Sequence, residues 1–200
     1  MVLLSEFKST LPTPRLLWVA LGLLASSQAF EKPAFAGSDQ ASLTLGFLSY
    51  GSSETNSLLG SSGYAITFLS ENRKAKVRLA LGSQLEMCSG IYAEDQSAAT
   101  LLRGAFLVGA NFFPMKTEFV SPYVGTLADM GWGYLSRGGT ESMGLNAGLT
   151  VSGGADLRIS RDPAALALRV GSSYRLSRGF FVGEGTIQLD ALTFFFGVTF

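Results

Sequence analysis

Large apolar side chains recur at every second position through most of the chain, and the pattern is plainest at its end. Counting back from the carboxyl terminus, Phe200, Val198, Phe196, Phe194 and Leu192 alternate with Thr199, Gly197, Phe195 and Thr193. A period of two places the two sets on opposite faces of a β-strand. An aromatic strand of this kind is an aggregation hazard in water. In a closed barrel set in lipid it is well placed, with large side chains toward acyl chains and small ones toward the lumen.

Seven further segments alternate in the same way. They are expected at about 41–50, 63–70, 76–84, 100–113, 119–132, 147–159 and 166–176, with the terminal stretch 192–200 as the eighth strand. Short turns are expected around Asn72, Pro114 and Asp162, and longer Gly- and Ser-rich loops at 51–62, 85–99, 133–146 and 177–185. Alternation of long and short connections marks an up-and-down barrel with short periplasmic turns and long extracellular loops. The expected fold is therefore all-β: an eight-stranded antiparallel transmembrane barrel over residues 37–200.

Charges follow the same period. Arg78, Arg103, Asp129, Asp156, Arg158, Arg169 and Arg175 fall on the face opposite the apolar set and are expected to form a lumenal network. A charge facing lipid at midplane would cost about 2–4 kcal/mol, whereas lumenal charges can pair. Asp190, in phase with Phe200, is expected at the outer rim of the apolar band. A soluble, lipocalin-like barrel would alternate equally well with its faces exchanged, so periodicity does not separate the two.

The amino terminus favours the membrane. Lys8 and Arg15 precede an apolar run, Leu16 to Ala25, and Ala34-Phe35-Ala36 fits small-x-small cleavage, with Ser27-Gln28-Ala29 as an alternative site. Residues 1–36 are thus expected to be a cleaved export signal; their apolar core is too short to span about 30 Å of hydrocarbon as a helix. Removing them takes three of 15 basic and two of 15 acidic side chains, leaving 12 against 13. No basic excess remains, so nucleic acid is not expected as a partner.

The leader, the amphipathic strands, the segment Ser121-Pro122-Tyr123-Val124-Gly125 and the terminal Phe194 to Phe200 together resemble the small outer-membrane barrels of the OmpA/OmpX type. The resemblance implies location in the outer membrane of a Gram-negative bacterium. It also implies an assembly signal for the barrel-insertion machinery at Phe200, Val198 and Phe196, and outer-membrane lipid as the surrounding partner. The peptidoglycan-binding domain of the larger members is not expected after the barrel.

Candidate chemistry is sparse. The chain has no His and one Cys, Cys88, which removes Ser-His catalysis, most metal arrangements and an internal disulfide. Neither a catalytic site, a metal site nor a cofactor is expected. Gly138-Gly139 and Gly153-Gly154 are not phosphate loops, since no helix is expected to follow them. Glu54, Glu86, Glu94, Asp95, Glu141 and Glu184 read as solvated loop acids. Tyr64, Trp132, Tyr134, Tyr174 and Phe200 are candidates for interfacial aromatic girdles. The expected role is structural or envelope-related, or surface interaction through the loops. The alternative is a narrow channel for ions or small hydrophobic molecules, with a lipid-modifying enzyme third.

Overall fold

A computed structural model describes residues 39–52, 55, 62–72, 76–91, 97–115, 117, 119–160 and 166–200. The expected signal peptide, Glu54, Glu94, Asp95 and the turn at Asp162 lie outside these residues. Nine strand segments run β1 (Asp39–Tyr50), β2 (Ser62–Asn72), β3 (Val77–Ile91), β4 (Ala98–Phe112), β5 (Val120–Arg137), β6 (Thr140–Arg158), β7 (Ala167–Phe181), β8 (Gly185–Gln188) and β9 (Ala191–Thr199). Each pairs antiparallel with its sequence neighbour, except that β8 and β9 both pair with β7, one above the other. Together they make one interrupted eighth strand, and β9 closes the ring against β1.

The register sets the shape. A walk across hydrogen-bonded partners runs Gln40, Glu71, Ala80, Gly109, Leu127, Thr150, Arg175, Ala191 and back to β1 at Tyr50. The return lies ten residues beyond the start. With about 3.3 Å per residue and about 4.8 Å between eight strands, that stagger tilts the strands by about 40°. Eight strands at this tilt leave an interior that side chains fill.

The faces are inverted relative to a soluble barrel. Leu45, Phe106, Val151, Leu176 and Phe194 are about half or more exposed on the outside, while Arg78, Arg103 and Arg169 are 1%, 0% and 1% exposed. Phe200 lies just past the end of β9, yet its N–H donates to the Ala41 carbonyl at 2.8 Å and its carbonyl accepts from Ala41. The ring is closed to its last residue.

Three expected loops are mostly strand. Residues 85–91 continue β3, 133–137 and 140–146 lengthen β5 and β6, and 177–181 lengthen β7. The physical reason is pairing: Arg137 opposes Thr140, so the hairpin turns on two residues, Gly138 and Gly139, at φ 53° and 86°. Positive φ at both central positions matches the twist of the flanking strands and is open to Gly at low cost. β5 and β6 hold 18 and 19 residues, against about 9–11 needed to cross a bilayer.

Candidate functional site: the lumenal charge network

The lumen is filled in layers, from the end that carries Gln40 and Phe200 (the base) to the opposite, upper end. At the base the hub is Arg169, on β7. Its Nε donates to Asp156 Oδ1 at 2.7 Å and its Nη2 to Asp156 Oδ2 at 3.1 Å. The same guanidinium reaches Glu71 Oε1 at 3.0 Å and Oε2 at 2.9 Å, and Ser42 Oγ at 3.1 Å. Arg78 lies 3.7 Å from Glu71 and donates to Gln40 Oε1 at 2.8 Å; Asn111 also donates to Glu71. Aromatic rings line this layer. The Arg78 guanidinium stands 3.7 Å over Phe113, Arg169 stands 4.9 Å over Tyr123, and the two rings lie 5.4 Å apart.

The second charged layer lies toward the upper end. Arg103 donates through Nη1 to Glu86 Oε1 at 3.1 Å, through Nε to Asn146 Oδ1 at 2.7 Å, and through Nη2 to Asp129. Arg175 donates to the same Glu86 oxygen and, at 3.0 Å, to the Leu189 carbonyl. That carbonyl is available because the ladder opens here. The Ser177 N–H, which would oppose it, donates to Asp190 Oδ1 at 2.9 Å instead. The interruption between β8 and β9 thus turns a backbone acceptor inward onto a buried guanidinium, where an unmet donor would be costly.

Between the layers lies a cavity of about 50 Å³, lined by Thr44, Thr67, Thr150, Ser152 and Thr193, with Phe195 at its wall. Leu69, Leu107, Leu127 and Tyr123 line it too, so its wall is more apolar than polar. Above the second layer the lumen becomes apolar: Leu48, Leu101, Leu135, Phe181, Ile187 and Leu189 are packed into one buried cluster. Phe181 is 0% exposed, and a Cβ at Gly133 would meet its ring at 2.8 Å, so Gly133 makes room for this cap.

Of the seven residues expected in the network, six sit in the two layers: Arg78, Asp156 and Arg169 below, Arg103, Asp129 and Arg175 above. Arg158 is half-buried at the end of β6. The network also holds Glu71 and Glu86, which the sequence pattern alone places in the turn around Asn72 and in a loop. Both lie in strands, 2% and 1% exposed, and each bridges two arginines. Five arginines against two aspartates was the available signal, since an excess of buried positive charge demands more acids inside. With the glutamates counted, each layer holds two arginines and two carboxylates and is neutral. Asp190 also differs from expectation. It is 7% exposed, its carboxylate held along the wall by Ser177 and Gln188 rather than free at a rim. Of the remaining acids, Glu141 is exposed on β6, and Glu184 lies 3.5 Å from Arg137, tying two upper turns together.

No protein-family profile and no curated protein matches the chain. Among solved structures it is similar to the neisserial surface protein A, at 16% identity over 80% of this chain and 92% of that one, with a TM-score of 0.50. It also aligns with Ail, the attachment invasion locus protein of Yersinia pestis, at 13% identity over 82% of this chain and all of that one, TM-score 0.45. A major outer membrane protein from Thermus thermophilus aligns at 11% identity over 82% and 99%, TM-score 0.46. The likeness to the first is one of fold, the closed eight-stranded antiparallel barrel.

Proposed function

We propose that this chain is an outer-membrane barrel of a Gram-negative bacterium that acts as a closed structural or surface element rather than as a pore or an enzyme. The observation that carries the reading is the inversion of faces. Arginines and carboxylates are buried inside, while Phe106, Leu145 and Met130 are 68%, 73% and 72% exposed outside. Water penalises such an exterior, and a bilayer rewards it. The base, where Phe200 ends the chain, then faces the periplasm, and the lengthened β5–β6 hairpin stands outside the cell.

The channel reading is weakened by the lumen. An ion would have to break two neutral four-charge layers and pass an apolar cap, each a desolvation barrier. Surface interaction through the upper end is favoured by strand length, since β5 and β6 overshoot the bilayer by about 20 Å at this tilt. The absence of His argues against a His-dependent lipid-modifying activity. The test is membrane fractionation with gel migration before and after boiling. A heat-modifiable species in the outer-membrane fraction is expected, and a protein soluble without detergent would sink the proposal.

A further inference from the structure

The outward apolar face is not level around the barrel. On β1 and β2 it turns polar just above Phe47 and Tyr64, at Ser49 and Ser62. On β5, β6 and β7 it continues upward. Trp132 opposes Leu145, Tyr134 opposes Met143, Leu145 opposes Phe180, and the Val182 N–H donates to the Met143 carbonyl at 3.0 Å. Met143, Leu145, Phe180 and Val182 are 63%, 73%, 61% and 72% exposed. With the observed stagger, Phe180 stands about 10 Å above Tyr64.

Among the described residues one cation interrupts this wall. Arg178 lies exposed on β7 between the outward Leu176 and Phe180, opposite Ala147 on β6 and Gln188 on β8. Arg178, Leu176, Ala147 and Gln188, with Ser177 and Asp190, line an open notch. Among the described residues no hydrogen bond or ion pair holds the Arg178 guanidinium, and the Asp190 carboxylate is already engaged by Ser177 and Gln188. This guanidinium, with apolar side chains above and below it, has no partner among the described residues. Its planar fork matches a phosphate, which forms strong charge-assisted hydrogen bonds.

We propose that the outer wall of β6–β8 is a docking site for an anionic lipid. The phosphate sits on Arg178 beside the notch, and the acyl chains run down Ala147 and Leu149. Two features select lipid as the occupant. The wall is continuous with the apolar belt that faces the bilayer, and the Arg178 cation is complementary to a phosphate at headgroup height. The inference rests on the membrane reading above.

The experiment is native mass spectrometry of the full chain in detergent, titrated with phosphatidylglycerol or phosphatidylcholine. Wild type, Arg178→Gln and, as a control at the base, Lys76→Gln are compared. The expected result is a preference for phosphatidylglycerol of about tenfold in wild type and in Lys76→Gln, falling to near parity in Arg178→Gln. A preference that survives Arg178→Gln, or is absent from wild type, overturns the site. Full competition by free inorganic phosphate would overturn lipid as the ligand. Disulfide-linked dimers of Met143→Cys in vesicles, formed whether or not phosphatidylglycerol is present, would assign the wall to a second copy. Gel migration of every variant keeps the two ideas apart: unfolded barrels defeat the membrane reading, whereas folded barrels without the preference defeat only the lipid site.

Discussion

At the scale of single residues, the lumen is held by reciprocity: every arginine in its two charged layers has a carboxylate, and Glu71 and Glu86 each serve two arginines. Removing one partner from such a set leaves a buried charge uncompensated, which costs far more than the pair contributed. Arg169 is the hub, bonded to both Asp156 and Glu71. Arg169→Met is therefore expected to lower the unfolding free energy by about 3–5 kcal/mol, read as a reduced urea midpoint in detergent. Neutralising the stranded acids as well, with Glu71→Gln and Asp156→Asn, should recover part of the loss. An unchanged midpoint in the single variant would show that the layer is not electrostatically coupled.

At the scale of elements, the two ends of the barrel are built by different means. The upper end is drawn out by strand pairing that persists until two glycines at positive φ reverse the chain. The base is closed by the terminal strand, whose Val198 and Phe196 oppose Leu43 and Leu45 of β1 while Phe200 bonds Ala41. Closure removes the unpaired edge that lipid cannot hydrate. Phe200 itself points outward and is 55% exposed. Phe200→Ala is expected to lower the yield of folded barrel in the outer membrane while leaving export intact, measured by fractionation and heat-modifiable migration. Undiminished barrel yield would remove Phe200 from any assembly signal.

At the scale of the whole molecule, two neutral layers and an apolar cap stand in series along one axis. In a planar bilayer the barrel is expected to pass no steady current, and Arg103→Ala should stay silent, because the lower layer and the Leu101–Phe181 cap remain intact. Open-channel steps in wild type would overturn the closed-barrel reading. The fold and the membership of each face were legible in the chain, because side-chain alternation is a local property and each strand displays it unaided. Phe194 to Phe200 could be read in isolation, and so could six of the seven residues expected in the network. What only the tertiary structure decided was non-local. Which face lies inside separates a membrane barrel from a soluble one, and it depends on how the sheet closes. The lengths of β5 and β6 depend on pairing partners that a Gly-rich stretch does not reveal. The bridging roles of Glu71 and Glu86 depend on arginines arriving from distant strands, Arg169 lying 98 residues from Glu71 and Arg175 lying 89 from Glu86. Alternation along a strand fixes a side chain's direction; its electrostatic partner is fixed only when the ring closes around it.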